Sequence, residues 1–450
     1  MTTPAATRDP GSAWARYRDN KDLQRLGICL IVGGVVALMT GKSGTVTAPT
    51  SGITGTFKSS AAYVWIGIFV ALWLVLTIRD RYLQSVQSAT RVLATNRDRV
   101  LAVTPVKWAI YAAGLAIAIA LPHLVNNFWQ EVLVGQIAPY VLLAVGLNVV
   151  VGFAGLLDLG YIAFYAVGAY SAAYWTGSLP AHPPFTVNPF WAFPLAIATA
   201  MLAGVILGAP TLRLRGDYLA IVTLGFGEII QIVANNLTSV TGGAQGITKA
   251  VPSFSVHVGG LHYAWPLELL PGNHFRWYYL ILGLIVIVLV AFHLLENSRV
   301  GRAWMAIRED EVAAEAVGIN PLKYKVLAFA IGASTSGVAG VFFASKNGTF
   351  TPPDFAFQAS ILILVLVIFG GMGSLPGAVI GAAVLQWLPQ ALRSHIEQQD
   401  LYIYYGALLI VMMIFRPQGL IPSRRRAREI RMAEHGVGSA DAMAAPGAAP

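Results

Sequence analysis

The segment Ser298–Lys325, SRVGRAWMAIREDEVAAEAVGINPLKYK, is strongly polar and lies between two long apolar runs. Its many basic and acidic side chains exclude it from a lipid bilayer. Asp310 is suited to cap a helix N-terminus, and the glutamates that follow favour the early turns of that helix. Gly318 offers the left-handed residue that closes a helix, and Pro321 prevents the helix from continuing. The pattern predicts a helix of about two turns, too short to be stable alone in water. Its own membrane domain or a docked partner must therefore hold it.

The composition indicates a polytopic membrane protein. Of the 450 residues, 56% are hydrophobic and 11% are charged, whereas soluble domains carry about 25% charged residues. The formal net charge of +9 does not indicate a nucleic-acid partner, because Lys and Arg lie in short segments between apolar runs, as the positive-inside rule expects. Cys29 is the only cysteine, which excludes an intramolecular disulfide and a cysteine metal cluster.

The apolar runs predict an all-α polytopic membrane protein with about twelve transmembrane segments, some of them half-helices broken at Gly or Pro. Counting crossings from a cytoplasmic N-terminus places every basic loop inside, including Ser298–Lys325, and makes both termini cytoplasmic. The predicted parts are a cytoplasmic arm (1–25), a two-helix extension with a basic linker (26–104), a membrane core (105–422) that contains the polar loop (298–325), and a tail (423–450) that is first basic and then disordered.

Two apolar stretches are interrupted in a comparable way. They are VVVGFAGLLDLGYIAFYAVGAY at Val149–Tyr170 and VLVIFGGMGSLPGAVIGAAV at Val365–Val384, and aligning them matches Gly155 with Gly371. Paired broken helices in two halves of a transporter expose backbone groups toward a substrate pathway. Freed backbone groups cannot face lipid, so these breaks must be buried or line a cavity. Close helix packing through small residues explains the glycines equally well.

Asp158 and Glu228 are the acidic residues that fall well within apolar stretches. A charge in the bilayer is costly, so each is a functional candidate. The alternative is a structural role, paired with an Arg or placed at an interface; the two roles are evenly supported for Asp158, and the structural one is favoured for Glu228. If the solute is a zwitterion, half-helix N-termini could bind its carboxylate and Asp158 its ammonium. The pathway candidates are Asn148, Gly155, Asp158, Gly160, Glu228, Gly371 and Gly373. Asn148, Gln231, Asn235 and Asn236 could also bond across helices without meeting a solute.

Several blocks of this sequence resemble the LivM-type permease subunits of branched-chain amino acid ABC importers. They occur in the family's order between about Trp129 and Pro422, and they read GLNVVVGFAGLLDLGYIAFYAVGAY, RLRGDYLAIVTLGFGEIIQIVANN, TGGAQGI, NSRVGRAWMAIREDEVAAEAVGIN, GGMGSLPG and RPQGLIP. The resemblance implies an importer of Leu, Ile and Val in the bacterial cytoplasmic (inner) membrane. It implies a LivH-type second permease, two ATPase subunits of LivG/LivF type and an extracytoplasmic binding protein as partners. The chain itself would be no enzyme and would need no cofactor, because ATP is bound by the partner subunits.

The resemblance also identifies Ser298–Lys325 as a cytoplasmic coupling loop, whose short helix docks in a cleft of an ATPase subunit. Gly318 would be the characteristic glycine of that loop. The residues implied to couple to the ATPase are Arg308, Glu309, Asp310, Glu311, Ala314, Glu315 and Gly318.

Other functions remain open at this stage. Relatives that carry urea, short amides or other amino acids share much of the pattern. A secondary carrier driven by an ion gradient would suit the broken helices and a buried carboxylate, but it would not explain the polar loop. A membrane enzyme lacks support, because no His/Glu or Cys cluster has metal-ligand spacing. Gly41-Lys42-Ser43 resembles the end of a phosphate-binding loop, but Val36 stands where that motif needs a glycine.

Overall fold

The computed structural model describes residues 104–212, 217–247, 256–258, 261–263, 274–392, 405–410, 412 and 419–421. The predicted cytoplasmic arm, nearly all of the two-helix extension, the Gly41-Lys42-Ser43 motif, Cys29 and the C-terminal tail lie outside these residues. The chain divides into two compact units, residues 1–116 with 397–408 and residues 117–396 with 409–450. All contacts discussed below belong to the second unit.

Six helical stretches of the described residues are long and apolar enough to cross a membrane. They are Asn127–Phe153, Phe190–Thr211, Tyr218–Asn236, Phe275–Glu296, Pro321–Asn347 and Pro352–Gly370. The chain is therefore a multi-pass membrane protein whose crossings are helical, as predicted. The six stretches account for half of the roughly twelve predicted crossings. Two of the predicted spans, Leu26–Thr40 and Ala61–Ile78, lie outside the described residues.

The α-helices in chain order are α1 (Thr104–Leu124), α2 (Asn127–Val132), α3 (Ala138–Leu147), α4 (Tyr161–Trp175), α5 (Pro189–Thr211), α6 (Asp217–Asn236), α7 (Thr238–Thr241), α8 (His274–Glu296), α9 (Arg299–Glu309), α10 (Glu311–Ala316), α11 (Pro321–Asn347), α12 (Phe357–Gly370) and α13 (Leu375–Leu392). A π-helical turn at Leu133–Ile137 joins α2 to α3, and a second one at Asn148–Phe153 extends α3. Short 3₁₀ turns lie at Gly243–Gln245 and Pro352–Phe355.

A small hairpin is the exception to the helical fold within the described residues. Strands β1 (Val256–Val258) and β2 (Leu261–Tyr263) pair antiparallel, with His257 opposite His262. The hairpin lies in the long connection between α7 and α8, outside the candidate spans.

Helix α11 lies at the centre of the bundle, packed against α4 and α5. Small residues make this packing close: a Cβ added to Gly168 of α4 would lie 2.6 Å from the Cα of Gly337 on α11. On the α5 side, a Cβ added to Gly204 would lie 2.8 Å from the Cβ of Ala333. Close backbone contact through small residues is how helices associate in membranes, where no hydrophobic force drives them together. The glycines and alanines of these helices therefore have a packing role.

Candidate functional site

The polar loop between α8 and α11 contains two helices, where the sequence predicts one. The unpredicted helix is α9, and its N-terminus is capped by the Ser298 hydroxyl, which accepts hydrogen bonds from the backbone N–H groups of Val300 (3.1 Å) and Gly301 (3.3 Å). Trp304 of α9 is fully buried and donates its indole N–H to the Tyr324 carbonyl of α11 at 2.7 Å. Helix α9 is thus fixed on the membrane core.

The second helix of the loop, α10, confirms the predicted short helix and its N-terminal cap. It covers Glu311–Ala316, and the Asp310 carboxylate accepts hydrogen bonds from Val312 N–H (2.9 Å) and Ala313 N–H (3.0 Å). These bonds satisfy two of the backbone N–H groups that a helix start leaves without partners.

The C-terminus of α10 also follows the prediction. Gly318 adopts a φ of +88°, and its N–H donates to the Glu315 carbonyl while the Ile319 N–H donates to the Ala314 carbonyl. This pair of bonds is a Schellman motif, which requires a residue in the left-handed conformation. Pro321 is also the first residue of α11, a role that was not predicted. At this position the missing N–H of proline costs nothing, since the first N–H groups of a helix have no helical partner.

Helix α10 has one face on the protein and one face in solution. Ala314 is buried, and Glu311 forms an ion pair of 2.8 Å with Lys325, whose side chain is only 6% exposed. In contrast, Val312 is 65% exposed and Val317 is 77% exposed. Apolar side chains on a helix that is too short to be stable alone are suited to contact another protein surface.

The two interrupted helices are broken as the sequence predicts. After the π-helical turn Asn148–Phe153, residues 154–160 are not helical, and α4 then begins at Tyr161. The second break separates α12 from α13 and covers residues 371–374. The aligned glycines Gly155 (φ +72°) and Gly371 (φ +119°) both have positive φ. The backbone thus leaves helical geometry at equivalent positions of the two stretches.

The two breaks lie in direct contact. The side-chain oxygen of Asn148, a fully buried residue, accepts a hydrogen bond of 2.8 Å from the backbone N–H of Gly373. A Cβ added to Gly152 would overlap the backbone of Gly373. The freed backbone groups are therefore partly satisfied between the breaks, as buried polar groups require.

Arg308, at the C-terminal end of α9, connects the polar loop to both breaks. Its guanidinium donates a hydrogen bond to the Gly152 carbonyl. A Cβ added to Gly155 would lie 2.7 Å from Arg308 Cγ, and a Cβ added to Gly373 would lie 3.2 Å from Arg308 Nη1. Arg308 is itself exposed, so its expected contact with an ATPase subunit stays a prediction beside this contact with the breaks.

A segment near the C-terminus covers the second break. The backbone N–H of Leu420 donates to the Phe369 carbonyl at 2.8 Å, and that of Ile421 donates to the Gly370 carbonyl at 3.0 Å. These bonds occupy carbonyls that the end of α12 leaves without helical partners. The GLI residues of the RPQGLIP block thus stabilise the break, a contact that the sequence did not indicate.

Asp158 and Gly160 fix the start of α4. The Asp158 side chain, which is 1% exposed, accepts a hydrogen bond of 2.9 Å from the Gly160 N–H, while its second oxygen has no hydrogen-bond partner among the described residues. A Cβ at Gly160 would overlap the backbone carbonyl of Thr223 on α6, and the Thr223 hydroxyl accepts from the Leu159 N–H at 3.0 Å. These contacts favour a role for Asp158 in holding α4 against α6.

Glu228, the remaining pathway candidate, lies on α6 and is half-buried. It forms no hydrogen bond or ion pair with the part of the chain that the structure describes, so the pairing with an Arg considered for it is not observed there. Among the same residues, no group of three or more His, Cys, Asp and Glu is arranged to hold a metal ion.

The family described as "Branched-chain amino acid transport system / permease component" matches residues 131–416. The chain belongs to this permease family. The match includes both breaks and the whole polar loop.

Named members of the family are similar over most of their length. The high-affinity branched-chain amino acid transport permease LivM of Salmonella typhimurium is 40% identical over 325 residues, which cover 69% of this chain and 74% of the relative. LivM of Escherichia coli is 39% identical over 327 residues, with the same shares of the two chains. LivH of Escherichia coli is 26% identical over 296 residues, 63% of this chain and 91% of the relative. No solved structure matches the chain.

In this permease the predicted site residues fall into three places. Arg308, Asn148, Gly155, Gly371 and Gly373 meet at the two breaks. Asp310, Glu311, Ala314, Glu315 and Gly318 belong to α10 and its caps, and the exposed Glu309 ends α9 next to them. Asp158 and Gly160 fix the start of α4, and Glu228 lies on α6.

Sequence reasoning missed several residues of the site. The exposed Val312 and Val317 were overlooked, because residues five apart do not share a helix face and their spacing is no signal. The burial of Trp304 was also missed, although Ser298 is a residue type that favours a helix N-cap and could have indicated α9. The anchoring of Arg308 to Gly152 has no sequence signal, because it joins residues 156 positions apart.

Proposed function

We propose that this chain is the LivM-type permease subunit of an ATP-driven importer that moves branched-chain amino acids across the bacterial cytoplasmic membrane into the cell. The observation that carries the proposal is the contact between the polar loop and both broken helices through Arg308. It occurs in a chain that is 40% identical to LivM of Salmonella typhimurium. Both chain termini and the polar loop face the cytoplasm in this assignment.

The proposed complex contains this chain and four partner subunits. A LivH-type chain is the second permease, and the similarity of this chain to both LivM and LivH supports two permeases with a common fold. Two ATPase subunits bind and hydrolyse ATP, and an extracytoplasmic binding protein delivers the solute. This chain hydrolyses no ATP and requires no cofactor of its own.

The exposed face of α10 is the proposed contact with an ATPase subunit. Val312 and Val317 supply apolar contact area, while Glu315 adds a charge that is suited to a basic group. Glu315 and Gly318 also line an open cleft of about 540 Å³. Asp310 and Glu311 act indirectly, since they hold α10 in place through the N-terminal cap and the ion pair with Lys325.

The geometry suggests how a push on α10 reaches the membrane core. Helix α9 directly precedes α10, and Asp310 both ends the first helix and caps the second. A displacement of α9 moves Arg308, which is bonded to the carbonyl of Gly152 at the first break and lies beside Gly373 at the second. Positive-φ glycines at both breaks provide backbone positions at which the half-helices can pivot. We infer that this movement opens and closes the cytoplasmic end of the pathway.

Transport in a defined background tests the proposal. The chain is produced together with its LivH-type, ATPase and binding-protein subunits in a bacterial strain that lacks its own branched-chain uptake, and uptake of radiolabelled leucine is measured. We expect uptake that requires ATP and the binding protein and that excess isoleucine or valine inhibits. If the complex takes up urea, an amide or another amino acid instead of leucine, that compound is the transported solute. Uptake that depends on an ion gradient and persists without the ATPase subunits would refute the proposal.

A further inference from the structure

One flank of α6 carries polar side chains at helical spacing. Glu228, Gln231 and Asn235 follow one another at intervals of three and four residues, and Gly225 precedes them by three. Residues at this spacing lie on the same side of a helix. We call these four residues the polar flank of α6.

The polar flank lies at membrane depth. Tyr218–Asn236 is one of the candidate spans, and the 20 residues of α6 correspond to about 30 Å of helix, the thickness of the hydrocarbon core. Glu228 is roughly 17 Å from the start of the helix and therefore near its midpoint. Gln231 follows about 4.5 Å further along the helix and Asn235 about 10.5 Å further.

The polar flank is accessible and lacks partners in the described chain. Glu228 and Gln231 are half-buried and Asn235 is exposed. None of the three side chains forms a hydrogen bond or an ion pair with a described residue. A Cβ added to Gly225 would meet nothing within 4 Å, so there is open space next to the polar side chains.

The rest of the exposed surface of α6 differs from the polar flank. Val222, Ile229 and Val233 are exposed and, at intervals of seven and four residues, share a different side of the helix. Lipid or an apolar subunit surface can cover these side chains. Lipid cannot cover the carboxylate of Glu228, because an ionisable group within the membrane is costly unless it faces a bundle interior, a partner or a water-filled cavity. The two sides of the exposed surface therefore require different surroundings.

We propose that the polar flank of α6 lines the water-filled solute pathway and that Glu228 binds the ammonium group of the transported amino acid. This inference rests on the proposed function, because the second permease subunit must close the pathway on the open side. A zwitterionic amino acid needs an anion for its ammonium group and N–H donors for its carboxylate. Glu228 supplies the anion, and the side-chain amides of Gln231 and Asn235 supply N–H donors.

Asp158 is less suited to this role than Glu228. Its side chain is buried, and one of its oxygens already accepts a hydrogen bond from Gly160 at the start of α4. A solute could reach the carboxylate only if the packing around this buried side chain opened. Glu228 is accessible without any such change, and Gly225 leaves room for a side chain of the solute beside it.

Cysteine accessibility in the assembled transporter tests the location of the pathway. Cys29 is first replaced by Ser, and single cysteines are then introduced as Gln231→Cys and Asn235→Cys. The matched controls, Ile229→Cys and Val233→Cys, lie at similar depth on the apolar side. Each complex is treated in membranes with a cationic, water-soluble methanethiosulfonate reagent. We expect labelling at both polar-flank positions, slowed at least threefold by leucine with the binding protein, and no labelling of the two controls.

Substitution of the carboxylate tests the role of Glu228. We expect Glu228→Gln to reduce leucine uptake at least tenfold while the complex still assembles and hydrolyses ATP, and Glu228→Asp to recover part of the uptake. A residue that only holds helices together would instead lower the amount of assembled complex.

Three results would overturn the inference. They are polar-flank cysteines that stay unlabelled in a complex that transports, labelling that does not distinguish the polar flank from the apolar controls, and a Glu228→Gln variant that transports as well as the wild type. The first result would mean that a partner subunit covers the polar flank. Failure of the proposed function is recognised separately, because the wild-type complex would then show no ATP-dependent leucine uptake at all.

Discussion

Replacing Gly318 with valine should uncouple the permease from its ATPase subunits. Gly318 has a φ of +88°, a conformation that costs an L-residue roughly 1–2 kcal/mol, and more for a β-branched side chain. A Cβ at this position would meet nothing within 4 Å, so the penalty comes from the backbone and not from a steric clash. The Schellman motif that ends α10 depends on this conformation. Since a factor of ten corresponds to about 1.4 kcal/mol, the population of the correctly formed helix should fall roughly five- to thirtyfold.

A graded series separates this backbone effect from other causes. Gly318→Asn should keep most of the activity, because Asn tolerates the left-handed conformation, and Gly318→Ala should be intermediate between Asn and Val. The assay is leucine uptake together with ATP hydrolysis by the complete complex in proteoliposomes, at matched amounts of assembled protein. Wild-type uptake by Gly318→Val would refute the reasoning. Equal loss in all three variants would show that the conformation of this residue is not the cause.

Three further substitutions test the packing of the site. Glu311→Gln leaves Lys325 buried without its ion-pair partner, a change that costs up to about 3–5 kcal/mol for a buried pair, so the Tm of the complex should fall. Adding Lys325→Met should restore most of the lost Tm, and no recovery would contradict the pairing. Asp158→Asn keeps an acceptor for the Gly160 N–H and should transport at nearly the wild-type rate. A large loss of uptake would instead assign the carboxylate to the solute. The Cβ of Gly160→Ala would overlap the backbone of α6, so this variant should lower the yield of folded permease. Gly283→Ala, whose Cβ meets nothing within 4 Å, should be neutral, and equal yields of the two variants would refute the close contact.

The local features of the polar loop could be predicted from the sequence because they depend on neighbouring residues. Asp310 caps the helix that directly follows it, and Gly318 closes that helix. Caps and left-handed glycines have strong residue preferences, so their positions can be read from a single chain. The two helix breaks were likewise visible as glycines within apolar stretches.

The arrangement of the site could not be predicted, because it depends on contacts between distant parts of the chain. Nothing near Arg308 indicates that its guanidinium reaches Gly152, and nothing near Asn148 indicates a bond to Gly373. The different surroundings of Asp158 and Glu228 were hidden for the same reason. Both are acidic residues in apolar stretches, and only the packing shows that Asp158 is buried and bonded to the Gly160 N–H just before α4 while Glu228 remains accessible.

In the proposed mechanism, the polar loop moves the broken helices through Arg308. The most direct test is the number of leucine molecules imported per ATP hydrolysed by the complete complex carrying Arg308→Gln, with Arg302→Gln as a control on an exposed position of the same helix. We predict that the Arg308→Gln complex still assembles with the ATPase subunits and hydrolyses ATP. It should import at least tenfold less leucine per ATP, since the bond to Gly152 is lost, whereas Arg302→Gln should match the wild type. An unchanged ratio of leucine to ATP in an assembled Arg308→Gln complex would contradict the account.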